Sequence, residues 1–269
     1  VFVCSACRLL TARYSYTCPV CHTRGTLQVT TVPVGDRDDA GPADVVEVPI
    51  RALDRVGAEA EPERRYRSGL RAWDRALGGG QLPGTVTLLG GDPGLGKSTL
   101  ALQVLAGLQR RGATRALYIS CEEPVERVYQ RARRIGVPMS RLYAGSEQVL
   151  PAIEAAIRRW APHAVVIDSI QSVYDPDAPG IPGSVAQVKL ACWRFVRLAR
   201  ELHAAVLVLC HVDKAGEFAG PQTLQHEVDV LVMLEGDPSE PARTLRVQKN
   251  RFGATTETGR LAMREDGLR

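Results

Sequence analysis

The sequence predicts an α/β protein whose core is a mostly parallel sheet covered by helices on both faces, preceded by a small four-cysteine module. Three observations carry this. From about residue 63 onward, short apolar runs alternate with amphipathic stretches, the pattern of strand–helix–strand units. A glycine-rich segment, GDPGLGKST at 91–99, stands between one such run and one such stretch. Four of the seven cysteines fall within the first 21 residues as two CxxC pairs.

The alternation assigns the elements in order. TVTLLG (85–90) is a short apolar run ending in glycine and reads as a buried strand; residues 98–111 follow as a helix closed near Gly112. ALYIS (116–120), AVVID (164–168), AVLVLC (205–210), VLVML (230–234) and TLRVQK (244–249) are the further strands. Unbroken apolar strands are what a sheet covered on both faces requires. Residues 125–135 and 149–160 are amphipathic, and Val185, Val188, Cys192, Phe195, Ala199 and Leu202 recur at three- and four-residue steps, which makes 184–202 a helix with one apolar face. Three regions result: 1–29 with the cysteine pairs, a linker over 30–62 rich in Pro, Gly, Asp and Ala with one short docked strand near 45–50, and the α/β domain over 63–269.

Composition narrows the class. The chain has 269 residues, 45% hydrophobic and 24% charged, ample for a full core. No apolar run approaches the ~20 residues of a membrane-spanning helix, and VFVCSAC lacks the basic start of a secretory signal; the expected location is cytoplasmic, with no membrane partner. A net charge of +4 suits a nucleic-acid binder and many other enzymes alike.

GDPGLGKST fits G-x-x-x-x-G-K-[ST]. The segment Gly91, Asp92, Pro93, Gly94, Leu95, Gly96, Lys97, Ser98 and Thr99 is therefore read as a phosphate loop. Its glycines let successive N–H groups curl around a β-phosphate, Lys97 supplies a cation to the β/γ oxygens, and Ser98 is placed to ligate Mg²⁺. Asp168, ending the strand AVVID, would stand at the ligand edge of the sheet and complete the magnesium site with Ser98. Glu122 and Glu123 follow the strand ending at Ser120, where a carboxylate polarises water for attack on a γ-phosphate; Glu122 is preferred. The same Cys-Glu-Glu-Pro run also reads as a helix entry with dipole-stabilised carboxylates.

Cys4, Cys7, Cys18 and Cys21 have the spacing of two thiolate hairpins closing around Zn²⁺. A module of 29 residues has too little core to fold alone, so the metal would supply much of its stability. Cys121, Cys192 and Cys210 lie in apolar segments and read as small core residues.

Taken together, the cysteine module, SGLRAWDRALGGGQLPGTVTLLGGDPGLGKSTL (68–100), LYISCEEP (117–124), VVIDSIQSVY (165–174), PGSVAQVK (182–189), HVDKAGEFAGPQTLQHEVDVLVMLEGD (211–237) and KNRFGAT (249–255) resemble the bacterial RadA/Sms family of DNA recombination and repair proteins. The likeness spans all of the chain but the linker, and KNRFG is its narrowest element. It implies a RecA-like P-loop core similar to DnaB-type helicases. It also implies ATP as the nucleotide, a homo-oligomeric, hexameric ring with single-stranded DNA in its channel, and branch migration of recombination intermediates alongside the RecA recombinase. On that likeness Lys249 and Arg251 reach the neighbouring subunit's nucleotide, Arg251 as an arginine finger. His211 is a polar sensor of the γ-phosphate, and residues 175–183 and 213–223 are channel-facing loops with Lys189 and Lys214 against the DNA backbone. From the residues alone, KNRFG is a basic strand end beside a glycine turn, and the two lysines are equally a solvated surface. The family continues into a Lon-protease-like domain with no counterpart before Arg269, and CHTRGTL departs from the family after Cys21. A regulatory nucleotide switch, a strand-exchange recombinase and a passive zinc-bearing DNA adaptor are the alternatives. The first would hydrolyse ATP independently of Glu122 and Arg251, the second would form filaments, and the third would bind DNA without nucleotide.

Overall fold

In a computed structural model of the chain, residues 2–6, 10–11, 16–18, 23–29, 52–53, 64–111, 115–212 and 223–269 are described. Cys7, Cys21, Lys214, the segment 213–222 and nearly all of the 30–62 linker lie outside them. The chain divides into two compact units, Val1–Ala60 and Glu61–Arg269. Among the described residues no helix is long and apolar enough to cross a membrane.

The first unit holds a three-stranded antiparallel sheet in which β1 (Phe2–Cys4) lies between β2 (Leu10–Thr11) and β3 (Leu27–Val29).

The second unit is a nine-stranded sheet. Its strands are β4 (Val86–Gly91), β5 (Ala116–Ser120), β6 (Leu142–Ser146), β7 (Ala164–Asp168), β8 (Ala205–His211), β9 (Val230–Glu235), β10 (Ala242–Asn250), β11 (Thr258–Arg264) and β12 (Gly267–Leu268), arranged β12-β11-β10-β9-β4-β8-β7-β5-β6. The six strands from β9 to β6 run parallel and β10 to β12 antiparallel. The mostly parallel sheet expected from the sequence is present. It gains β6, β11 and β12, which carry no unbroken apolar run because they lie toward the sheet's margins.

The helices are α1 (Arg71–Ala76), α2 (Lys97–Arg111), α3 (Val125–Arg134), α4 (Leu150–Trp160), α5 (Val185–Leu202) and α6 (Thr223–Glu227). Side chains alternate across each strand, so the parallel strands feed two cores. Val86, Leu88, Val165, Ile167, Val206 and Val208 face one side, where α4 and α5 contribute Ile153, Ile157, Val188 and Phe195. Leu89, Val166, Leu207 and Leu209 face the other, covered by Leu100, Val104 and Leu108 of α2 and Trp73 of α1. Cys121, Cys192 and Cys210 belong to the first core. Burial pushes each thiol up to about 12, so all three are protonated packing residues.

The topology fixes where chemistry can gather. α2 starts at the carboxyl end of β4, while β5 lies on the far side of β8 and β7. Gly91 pairs with His211, and Ser120 with Asp168. The carboxyl ends of β4, β8, β7 and β5 therefore form one rim, where open α/β sheets bind ligands.

Candidate functional site

The loop after β4 has the backbone its chemistry needs. Gly91 and Gly96 adopt φ of +153° and +98°, which side chains rarely allow. A Cβ on Gly91 would lie 2.5 Å from the Leu234 carbonyl oxygen, and one on Gly96 would collide with Met263. Lys97 is buried, and its Nζ donates to the carbonyls of Gly91 (2.7 Å) and Asp92 (2.9 Å). Desolvation pulls its pKa below the ordinary lysine value, against the opposing pull of Asp168, Cys210 and Glu122. Leu95 and Thr99 are buried beneath the loop, while Asp92, Pro93 and Gly94 face outward.

The side chain that braces this loop was missed in the sequence, where its signal was a cation in the inward register of β10. Arg243 of β10 is only 3% exposed. Its Nε donates to the Leu95 carbonyl (3.1 Å), and its Nη1 donates to the carbonyls of Asp237 (2.8 Å), Ala242 (2.8 Å) and Glu240. A buried guanidinium satisfied by main-chain oxygens ties the phosphate loop to the β9–β10 hairpin.

Asp168 ends β7 beside that loop. Burial raises its pKa, and hydrogen bonds from Tyr118 and Ser98 oppose the rise. Tyr118, fully buried in β5, donates its hydroxyl to Asp168 Oδ2. Tyr118 reads in sequence as one more apolar strand residue; its hydroxyl at a buried position was the available signal. Ser98 and Asp168 thus meet, as a magnesium site requires.

The two glutamates separate. Glu123 makes a bidentate pair with Arg131 of α3, at 2.8 and 2.9 Å. Glu122 turns to the rim, where its Oε1 accepts from His211 Nε2 (3.1 Å) and from the Ser169 hydroxyl. The His211 bond is the main cause holding its carboxyl below the ordinary glutamate value; burial opposes it, while Ser169, the His211 charge and Lys97 assist. Gln171 Nε2 donates to the His211 carbonyl at 3.0 Å. His211→Ala removes the largest depressing cause, so the Glu122 pKa rises. The Glu122 carboxyl titration, followed by NMR, is expected to move to higher pH in this variant; a titration at the wild-type position would show that the bond does not set it.

Lys249 and Arg251 lie elsewhere. Asn250 pairs with Val230, and Val230 with Thr87 at the opposite end of β4 from Gly91. Four residues of strand put about 13 Å between these two levels. Lys249 Nζ donates to the carbonyls of Gln225 (2.6 Å) and His226 (3.2 Å) at the end of α6. Arg251 donates to the His226 carbonyl (3.1 Å) and to Asp229 Oδ1 (3.1 Å), with 44% of its side chain exposed. Asp229 is buried, and its other oxygen accepts from Val86 N at 2.9 Å. Lys189 is exposed on α5.

In the first unit, Cys4 and Cys18 are both fully buried and share one cluster with Leu27. Cys4 Sγ lies 3.2 Å from the Thr26 hydroxyl. Among the described residues no group of three or more His, Cys, Asp or Glu is placed to hold a metal.

Comparison with known proteins agrees with this geometry. A family profile described as an AAA domain matches residues 54–217. The chain is similar to the DNA repair protein RadA of Escherichia coli, 39% identical over 100% of this chain and 59% of that one. It is similar also to RadA of Listeria monocytogenes (38%, 99% and 58%) and of Bacillus subtilis (37%, 99% and 58%). It thus spans about three-fifths of the length of these relatives. The crystal structure of the RadB recombinase shares the fold, with a TM-score of 0.58 at 22% identity, over 76% of this chain and 98% of that one. With the phosphate loop of one strand facing the carboxylates of its neighbours, and with this similarity along its whole length to the bacterial RadA proteins, the chain belongs to the AAA domain family.

Proposed function

We propose that the protein is an ATP hydrolase that works as a ring of identical subunits on single-stranded DNA, in the repair and recombination role that the RadA relatives' name carries. The observation that supports it best is the placement of its cations. Lys97 lies at the rim that would hold the nucleotide, whereas Lys249 and Arg251 lie at the other end of the same strands. An arginine side chain is far too short to span that gap, so Arg251 reaches a γ-phosphate only in another copy.

The residues at the rim fit their ligands. Lys97 exchanges its carbonyl contacts with Gly91 and Asp92 for phosphate oxygens. Ser98 and Asp168 form an oxygen pair suited to Mg²⁺, which when bound neutralises the phosphate oxygens. Tyr118 holds the Asp168 carboxylate in place. Glu122, kept ionised by His211 and Ser169, orients the attacking water and takes its proton. Glu123 is committed to Arg131 and serves the scaffold. When Arg251 and Lys249 engage a neighbour's phosphates they let go of α6, the helix that follows residues 213–222. One subunit's nucleotide is thereby linked to the next subunit's DNA contacts, for which we propose Lys214 and, on α5, Lys189. The role on branched intermediates beside RecA in the cytoplasm belongs to this same reading.

ATP turnover is expected to rise on adding single-stranded oligonucleotide at low salt, where phosphate contacts are strongest. A turnover rate indifferent to DNA at every salt concentration would reject the motor. For the first unit we propose one Zn²⁺ on Cys4, Cys7, Cys18 and Cys21. The two described members of this set come from different CxxC pairs and share a buried cluster. When bound, zinc supplies cross-linking rather than chemistry. Elemental analysis is expected to find one zinc per chain and to lose it in Cys18→Ser; a metal-free, folded wild-type protein would refute the assignment.

A further inference from the structure

Away from the rim, α1 and β11 line an open cavity of about 620 Å³ whose lining includes four arginines: Arg67, Arg71, Arg75 and Arg260. Two features bring them together. Arg71 and Arg75 are one helical turn apart and share a face. β11 approaches α1 closely because Gly259 has no side chain, a Cβ there standing 3.0 Å from the Ala72 carbonyl oxygen. That approach carries Arg260 to the helix.

The acids nearby offset only part of this charge, two carboxylates, Asp74 and Glu257, standing against four arginines. Asp74 is the acid lining the cavity, and its oxygens are taken by Ser68 N (2.8 Å), the Ser68 hydroxyl (2.7 Å) and Gly69 N (2.9 Å). Glu257 pairs with Arg75 at 3.5 Å, and Arg75 also donates to the Thr258 carbonyl. Arg67, Arg71 and Arg260 are exposed and have no ion-pair partner among the described residues. Three unpaired guanidinium groups in one concavity attract an anion of several charges.

We propose that this cavity is a phosphate site that takes the sugar–phosphate backbone of a nucleic acid strand, a second contact for DNA apart from Lys189 and Lys214. Guanidinium forks match phosphate oxygens two at a time. The remaining lining is Ala72, Gly79 and Thr258, with no aromatic ring. A base therefore has nothing to stack on, and a protein partner has no apolar anchor pocket. What is left is recognition of backbone charge without regard to sequence.

The inference rests on the DNA-binding reading above, and the test separates the two. Anisotropy of a labelled single-stranded oligonucleotide is followed between about 50 and 200 mM salt, for the wild type, for the triple variant Arg67→Ala/Arg71→Ala/Arg260→Ala, and for a control triple, Arg127→Ala/Arg134→Ala/Arg159→Ala, on other exposed helical surface. Loss of three phosphate contacts lowers the slope of log affinity against log salt by about 2 in the cavity triple, with at least about a tenfold loss of affinity at the low-salt end. DNA-free ATPase activity stays at the wild-type level and the control slope is unchanged. An unchanged slope in the cavity triple, or an equal change in the control, overturns the cavity site while leaving DNA binding intact. A wild-type protein that does not bind the oligonucleotide overturns both. Polyglutamate binding that is tighter than DNA and lost in the same triple would assign the cavity to an acidic protein and overturn the proposal.

Discussion

Arg251→Ala is expected to lower the ATPase rate of the assembled protein by about 10³-fold, the scale of losing an arginine finger, while each chain still binds ATP. The residue has a structural life too, since it holds Asp229 and the end of α6. That contribution is partly replaceable: Asp229 is buried, but Arg200 also lies 3.9 Å from its Oδ1 and remains as a cation beside it. Asp229 also keeps its bond from Val86 N. A thermal melt of the variant should therefore fall by only a few degrees. A thousandfold rate loss with a near-native melt separates transition-state stabilisation from unfolding. Arg251→Lys keeps the charge but not the planar fork and should recover only part of the rate. A rate within threefold of wild type in Arg251→Ala would remove the finger.

Glu122→Gln is the second large effect. The amide keeps the size of the side chain and an oxygen that can accept from Ser169 and His211, but it cannot take a proton. Loss of a positioned base costs about 10²- to 10⁴-fold. ATP affinity should persist or tighten, because no phosphate contact is removed. Glu123→Gln, by contrast, weakens one ion pair to Arg131 and should leave hydrolysis close to wild type with a modest loss of stability. Equal rate losses in the two variants would contradict the division of labour that the structure makes between adjacent carboxylates.

That division shows where sequence reading stops. Gly91 to Thr99 was legible because a phosphate cradle is built from consecutive residues, and Asp168 because it terminates an apolar run. Glu122 and Glu123 are identical in local sequence. What parts them is Arg131 on α3 for one, and His211 and Ser169 from two other strand ends for the other, and none of these contacts is local. The buried braces were missed for a related reason. Arg243 has the inward position of the alternation Arg243–Leu245–Val247, and a cation in that register was the signal that it satisfies something inside. KNRFG was legible as a motif but its place was not: only the antiparallel pairing of β10 with β9 shows that it lies at the far end of β4 from the phosphate loop.

Mixing two inactive proteins tests the shared site most directly. Lys97→Ala chains lack a working phosphate loop but carry an intact Arg251; Arg251→Ala chains have the reverse. If the site forms between identical subunits, an equal mixture allowed to exchange should regain up to about a quarter of wild-type activity, since a quarter of the junctions then pair an intact loop with an intact arginine. No recovery at any ratio, in mixtures shown to have exchanged subunits, would contradict a site completed by a neighbouring chain.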